Sequence, residues 1–306
     1  MRRLLLWMAG NRWLRRNLPR LWITRRAVRR FMPGESADSA LAAAQKFSAR
    51  DVPVLFTLLG ENLTRLEEAD AHAQEYLELI AEVNGRGLDA EVSVKPTQLG
   101  YDLDQARTLA HLQRLCEAAA PRTVWIDMEG SAYTEGTVAL YEALKSSHSN
   151  SGLCLQSYLK RTHSDMQRLL PIEPRFRLVK GAYAEPAEIC YRSRREVDAN
   201  YLALSVWMLE QLRNGHPLFL GLGTHDVELV RQVADYARSA GFEGIPFDVE
   251  MLYGIRTDQQ QRLQQEGYPV RVLIAYGRFW YPWYMRRLAE RPANVIFAVR
   301  QLLPPW

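Results

Sequence analysis

Several features that define common protein classes are missing from this sequence. It has three cysteines among 306 residues, at positions 116, 154 and 190, and no two of them form a Cys-x-x-Cys pair. This usage gives no sign of a disulfide framework or a cysteine-based zinc site, and it suits a reducing compartment. The six histidines lack the spacing of metal ligands, so we expect no resident metal.

Long apolar runs and complete nucleotide-binding fingerprints are missing as well. No stretch approaches the ~20 apolar residues that span a bilayer. Gly221-Leu222-Gly223 opens a Gly-x-Gly pattern but continues with Thr224-His225, so a doubly wound dinucleotide-binding fold is not indicated. A composition of 47% hydrophobic and 24% charged residues is typical of a folded globular protein.

Acidic residues are absent from the first 34 residues, where basic charge is concentrated. Ten arginines lie within residues 1–30, and the rest of the chain carries 29 basic against 35 acidic side chains. The pI near 9.0 therefore describes the arm, and we expect no nucleic-acid partner. Leucines and tryptophans alternate with these arginines over residues 1–32, which predicts a basic amphipathic helical arm.

Two interpretations of this arm stand side by side. The helix lies on an anionic membrane surface, or it packs its apolar stripe on the body and leaves its arginines in solvent. An arginine-rich start without acids also resembles a mitochondrial presequence. We expect residues 1–34 to form the arm, residues 35–306 to form one catalytic domain, and the protein to be cytoplasmic and peripheral on the inner membrane face.

Eight short apolar runs alternate with helical patterns after residue 50. Eight such βα units in series predict an α/β fold, a (β/α)₈ TIM-like barrel with an N-terminal basic helical arm. One of the intervening patterns predicts a long helix over Glu185–Arg213. The predicted strands are Val52–Leu59, Ala90–Lys95, Thr123–Met128, Gly152–Ser157, Phe176–Lys180, Pro217–Leu222, Ile245–Glu250 and Val270–Ala275.

Polar residues at the carboxyl ends of these strands are the candidates for chemistry, because barrel active sites lie at that end. Lys95 and Lys180 raise the possibility of a Schiff-base lyase, and the alternative for each is an ion-paired lysine at the barrel mouth. Asp127 needs a partner if it stays charged in a buried position. Arg286 and Arg287 suit a substrate carboxylate, and the aromatic residues before them suggest a closing lid.

Five motifs, taken in their order along the chain, resemble those of the proline dehydrogenase family. The resemblance runs from about residue 51 to the end. The resemblance implies a distorted barrel with an amphipathic final helix over the site, non-covalent FAD, oxidation of L-proline to 1-pyrroline-5-carboxylate, and transfer of electrons to a membrane quinone. The motifs are Ser93-Val-Lys-Pro-Thr-Gln-Leu-Gly100, Arg177-Leu-Val-Lys-Gly-Ala-Tyr183, Thr224-His-Asp226, Met251-Leu-Tyr-Gly254 and Arg286-Arg-Leu-Ala-Glu290.

The resemblance also implies a role for individual positions. Lys95, Arg286 and Arg287 match residues that hold the substrate carboxylate. Asp127 and Glu61 match the acids that order and brace this charged network. Tyr183 and Arg177 match residues near the substrate and the reacting edge of the flavin. Contacts with FAD are implied for Met128, Gln156, Arg177, Lys180, Gly181, Ala182, Thr224, His225 and Glu290.

One position departs from the family pattern. The family usually carries a tyrosine thirteen residues before the first arginine of the pair, where it lines the substrate ring, and this sequence has Leu273 there. Leucine removes a hydroxyl and several atoms from that wall. The substrate is therefore expected to be proline or a close cyclic secondary amino acid such as hydroxyproline, and a flavin-binding relative with an altered substrate is the alternative.

Overall fold

A closed barrel of eight parallel strands forms the centre of the molecule. The computed structural model describes residues 7–8, 11–18, 28–60 and 63–290. Neighbours around the barrel are also neighbours in the chain, and the last strand pairs with the first. The predicted (β/α)₈ TIM-like barrel is therefore confirmed. The strands are β1 Val54–Leu58, β2 Ala90–Val94, β3 Val124–Ile126, β4 Ser151–Gln156, β5 Arg175–Val179, β6 Phe219–Gly223, β7 Asp248–Leu252 and β8 Val270–Tyr276.

Each strand divides its side chains between two environments. On β2, Ala90, Val92 and Val94 belong to the hydrophobic core between the barrel and the surrounding helices. Glu91 and Ser93 alternate with them and face the barrel interior, because successive side chains of a strand point to opposite faces. The outer layer is therefore apolar, and the polar residues of the strands collect inside the barrel.

Helices separate consecutive strands and cover the outer layer. Short 3₁₀ turns occur at Pro96–Leu99, Ser131–Tyr133 and Leu170–Ile172. The described helices are α1 Arg12–Asn17, α2 Ala37–Ser48, α3 Leu66–Gly85, α4 Gln105–Ala119, α5 Thr134–Lys145, α6 Thr162–Leu169, α7 Arg194–Arg213, α8 Val227–Ser239, α9 Thr257–Gln265 and α10 Trp280–Glu290.

The predicted helix over Glu185–Arg213 is wrong for residues 185–193. The Ser193 side chain accepts a hydrogen bond from the Glu196 amide at 3.1 Å, and the Glu196 carboxylate accepts one from the Ser193 amide at 3.0 Å. This capping box starts α7 at Arg194. The preceding loop instead pairs Cys190 with Leu159 in an isolated bridge, so it folds back over the end of β4.

The final helix, α10, packs against residues 28–32, at the end of the N-terminal segment. Val28, Phe31 and Met32 share one apolar cluster, here called the lid cluster, with the aromatic face of α10. The Phe31 and Tyr284 rings lie 5.5 Å apart, and Trp280 Nε1 donates to Glu35 Oε1 at 3.0 Å. The helix is thereby held beside the carboxyl ends of β1, β7 and β8. The predicted division of the chain after residue 34 stays a prediction.

Candidate active site

Charged side chains at the ends of β2, β3 and β5 meet around Asp127. Its Oδ1 accepts a hydrogen bond from Ser93 Oγ at 2.7 Å, and its Oδ2 accepts one from Lys95 Nζ at 3.4 Å. Arg177 Nη2 donates to the same carboxylate and to Ser93 Oγ. Three residues predicted from the sequence, Lys95, Asp127 and Arg177, therefore form one contact network, here called the Asp127 network.

The partners of Asp127 outweigh the effect of burial on its charge. Burial acts to raise the pKa of Asp127, but the Arg177 and Lys95 charges hold that pKa below its ordinary value of 3.8. Asp127 is consequently an anion at neutral pH. The barrel mouth thus contains a fixed carboxylate between two cations, which is an arrangement that orients charged ligands.

The other end of the Arg177 guanidinium contacts a carboxylate to which we assigned no role from the sequence. Arg177 Nη1 lies 3.4 Å from Glu250 Oε2, and both side chains are 3% exposed. A Cβ on Gly221 would lie 2.6 Å from Glu250 Oε1, so the missing side chain on β6 leaves the space in which the two groups meet. The feature of the sequence that could have indicated this contact is Gly221 on β6, between β5 with Arg177 and β7 with Glu250.

A second charged layer closes the barrel beneath this network. Arg271 Nε lies 3.7 Å from Glu91 Oε2 and 3.5 Å from Asp248 Oδ2. Trp125 Nε1 donates to Glu91 Oε2 at 2.7 Å, and the Arg177 guanidinium carbon lies 5.2 Å from the Trp125 ring centroid. The indole therefore separates the two charged layers and forms the floor of the site.

Lys180, at the end of β5, is bound to two aspartates. Its Nζ lies 2.5 Å from Asp198 Oδ1 and 2.8 Å from Asp226 Oδ2. Burial acts to raise the pKa of Asp226, but Lys180 and Arg194 hold that pKa below its ordinary value. Both lysines considered as Schiff-base nucleophiles, Lys95 and Lys180, are therefore ion-paired with carboxylates.

The chain leaves β5 through a glycine that no other residue could replace without strain. Gly181 has φ of +103°, and a Cβ there would lie 2.2 Å from the Tyr158 ring. The Tyr158 amide donates to the Lys180 carbonyl at 3.0 Å. Ala182 and Tyr183 follow and are half-buried, so this segment forms a narrow accessible strip along the barrel mouth.

Four more of the predicted cofactor residues lie on the same rim. Gln156 Nε2 donates to the Met128 carbonyl at 3.2 Å, across the ends of β4 and β3. The buried Gln156 Oε1 has no hydrogen-bond partner among the residues that the structure describes. Thr224 and His225 follow β6. Thr224 Oγ1 accepts a hydrogen bond from the Asp226 amide at 3.1 Å, and His225 Nε2 accepts one from the Leu252 amide of β7 at 3.4 Å.

Leu273 faces the barrel mouth from β8. It lies in register with Leu55 of β1 and Leu252 of β7. Its side chain is half-buried and packs against the lid cluster. The structure therefore places Leu273 on a wall between the barrel interior and α10.

Four predicted site residues fall outside what the structure describes. Glu61 is one of them, and for Arg286, Arg287 and Glu290 the helix α10 is described but the side chains are not. The roles assigned to these four positions stay predictions.

A parallel eight-stranded barrel with paired, buried charges at its carboxyl end has the architecture of the α/β-barrel enzymes. The sequence profile of proline dehydrogenase matches residues 40–300, and the chain belongs to the proline dehydrogenase family, a family of oxidoreductases. Proline dehydrogenase 1 of Bacillus subtilis is 31% identical over 305 residues, covering 99% of each chain. Proline dehydrogenase of Deinococcus radiodurans is 33% identical over 281 residues, covering 90% of this chain and 89% of the relative.

Solved structures share the fold. Proline utilization A (PutA) of Bdellovibrio bacteriovorus, inactivated by N-propargylglycine, superimposes on 87% of this chain with a TM-score of 0.79 at 22% identity. PutA of Corynebacterium freiburgense covers 99% of this chain with a TM-score of 0.74 at 22% identity. The present chain spans only 32% and 34% of those two longer proteins.

We predict that Asp127→Asn destabilises the protein by about 3–5 kcal/mol, because it leaves the buried Arg177 with one counter-ion fewer. The free energy of unfolding of wild type should exceed that of the variant by the full amount above the ordinary pKa of aspartate. This difference should vanish as the pH falls through the lower pKa that Asp127 has in the folded state. Urea unfolding at several pH values measures it. Asp235→Asn, which removes an exposed partner of Arg238, is the control and should change little. Equal effects of the two variants would contradict a buried network.

Proposed function

We propose that this protein catalyses the FAD-dependent oxidation of L-proline to 1-pyrroline-5-carboxylate, or the equivalent oxidation of a close cyclic secondary amino acid such as hydroxyproline. The observation that carries the proposal is the Asp127 network at the open end of a barrel in a chain of this family. Electrons then pass to a membrane quinone.

The barrel mouth fits a flavin. The segment from Gly181 to Tyr183 runs along that mouth, and its path depends on the glycine, because a Cβ there would lie 2.2 Å from the Tyr158 ring. The buried Oε1 of Gln156 is an acceptor with no partner among the described residues, and it suits an N–H donor of a ligand. When bound, FAD supplies the acceptor for a hydride from a carbon next to nitrogen. The residues that would hold it are Met128, Gln156, Arg177, Lys180, Gly181, Ala182, Thr224, His225 and Glu290.

The substrate is held by its carboxylate. Lys95 approaches from β2, and Asp127 fixes its ammonium group at 3.4 Å. We assign Arg286 and Arg287 of α10 to the same carboxylate, Glu61 to the support of this charged cluster, and Tyr183 to the side of the substrate ring. Contacts at the carboxylate are remote from the reacting carbon, so their binding energy serves to orient that carbon.

The Schiff-base lyase is the weaker alternative. A lysine nucleophile must lose its proton, which an apolar pocket or a neighbouring cation favours. Lys95 and Lys180 instead form ion pairs with Asp127, Asp198 and Asp226, so neither lies in an apolar pocket. Their arrangement supports binding and orientation of anions.

We also propose that the arm places the protein on the inner face of a membrane, where the quinone resides. Met8, Leu14 and Leu18 pack against the lid cluster, whereas the Trp7 and Trp13 side chains are 60% and 69% exposed. Exposed tryptophans among arginines suit the interface of an anionic membrane. Among the described helices, none has the length and apolar character needed to cross a bilayer.

Flavin binding is tested by two glycine substitutions. Gly181→Ala should lower the ratio of FAD to purified protein strongly, because the methyl group would collide with the Tyr158 ring and displace the strip beside it. Gly215→Ala is the matched control, since Gly215 also has positive φ but no atom lies within 4 Å of the added Cβ. Absorption spectroscopy of FAD released on denaturation gives the ratio. Full FAD content in Gly181→Ala would argue against this site.

Leu273→Tyr tests the substrate. Restoring an aromatic wall should raise kcat/KM for proline, by an amount equivalent to roughly 1–3 kcal/mol, and lower it for 4-hydroxyproline. Leu273→Met keeps an apolar side chain of similar volume and should leave the preference unchanged. Steady-state reduction of a dye with both substrates measures it. If the tyrosine variant alters neither value, Leu273 does not line the substrate ring.

Membrane contact is tested in the full-length chain. Replacing Trp7 and Trp13 together by serine should reduce co-sedimentation with anionic vesicles, and added salt should weaken wild-type binding, because each nearby base contributes about 1 kcal/mol that salt screens. Leu103→Ser is the control, since Leu103 is also exposed but lies in the turn before α4, outside the arm. Binding that resists both salt and the tryptophan replacement would indicate that the arm only packs on the barrel.

A further inference from the structure

Two carboxylates hold the Arg177 guanidinium from opposite sides. Asp127 of the β3 end contacts Nη2, and Glu250 of β7 lies 3.4 Å from Nη1. Arg177 and Glu250 are both buried. A planar guanidinium whose two terminal nitrogens each contact a carboxylate has little freedom to rotate. Removal of one carboxylate therefore changes the direction in which the remaining N–H groups point.

The two carboxylates, Asp127 and Glu250, differ in their additional partners. Asp127 also accepts hydrogen bonds from Ser93 and Lys95. Glu250 Oε2 contacts Arg177, whereas Glu250 Oε1 is buried and lacks a hydrogen-bond partner among the described residues. The negative charge of Glu250 is therefore less well stabilised than that of Asp127, although both face the same cation.

The groups around Glu250 come from every strand that packs against it. The cations Arg177 of β5 and Arg271 of β8 face it, as do the acids Glu91 of β2 and Asp248 of β7 itself. Tyr201 of α7 is a further titratable neighbour, and Gly221 of β6 lies against Glu250 Oε1. Burial raises the pKa of Glu250 to about 7, with the two arginines acting to lower it and the nearby acids acting to raise it. Asp127, which follows β3, and Cys154 of β4 interact with the same Arg177.

We propose that Glu250 is a positioning residue that acts through Arg177, fixing the direction of its guanidinium and setting how much of its positive charge reaches the bound flavin. The inference rests on the proposed function, because that function places Arg177 beside the flavin. Positive charge near a flavin favours its reduced form. An ionised Glu250 offsets that charge, whereas a protonated Glu250 does not.

The consequence is a pH-dependent flavin potential. Below pH 7 Glu250 is mostly neutral and wild type should resemble Glu250→Gln. Above pH 7 Glu250 is ionised in wild type, so the wild-type flavin should be harder to reduce than that of the variant. At pH 8.5 we expect the equilibrium constant for flavin reduction to be about tenfold larger in Glu250→Gln, which is ~30 mV for a two-electron couple. At pH 6 the two proteins should agree.

The experiment is a spectroscopic titration of the midpoint potential of the holoenzyme at pH 6 and pH 8.5. Asp165→Asn is the control, because Asp165 is a buried acid paired with an arginine, Arg161, on α6 outside the barrel interior. It should leave the potential unchanged at both pH values. Glu250→Asp keeps the titrating carboxylate but withdraws it from Arg177, so it should retain the pH-dependent step while kcat falls more than KM rises.

Two results would overturn the inference. A Glu250→Gln holoenzyme whose potential follows wild type at both pH values, while proline still reduces its flavin, would overturn this inference alone. A wild-type protein that binds no flavin would overturn the proposed function together with it. If Glu250→Gln does not fold, the inference is overturned when Glu250→Asp leaves both kcat and the potential of wild type unchanged at both pH values.

Discussion

The structure of the site depends on a guanidinium buried inside the barrel. A buried cation is tolerated only when carboxylates and hydrogen-bond acceptors surround it. Arg177 obtains these from β3 and β7, through Asp127 and Glu250, and it rests over the Trp125 ring. One residue thus imposes requirements on strands far apart in the sequence, and the closed barrel is what brings those strands together.

The same requirement explains the small residues nearby. Gly221 leaves room on β6 for Arg177 and Glu250 to meet, and Gly181 lets the chain pass close to Tyr158 as it leaves β5. Charged side chains fill the interior of the barrel, so the space for ligands lies at its carboxyl end. That end is covered by α10, which the lid cluster fastens to the N-terminal segment. The site is therefore rigid below and bounded by a helix above.

Much of this arrangement follows from the sequence because it depends on local patterns. Eight apolar runs with intervening helices fix the barrel, and the barrel fixes the end at which Lys95, Asp127 and Arg177 converge. What the sequence did not reveal depends on contacts across the barrel. The partnership of Glu250 with Arg177 joins residues 73 positions apart, and the late start of α7 results from a capping box at Ser193 that competes with a continuous helical pattern.

We propose that the barrel mouth holds a flavin and the reacting carbon of proline together. Anaerobic addition of L-proline to the purified protein, followed by absorption spectroscopy, tests it most directly. We expect the bands of oxidised flavin to bleach with a saturable dependence on L-proline, and we expect D-proline, which presents its carboxylate on the opposite face, to bleach them poorly. If the protein contains flavin but keeps its oxidised spectrum with proline and with hydroxyproline, this barrel mouth does not oxidise proline.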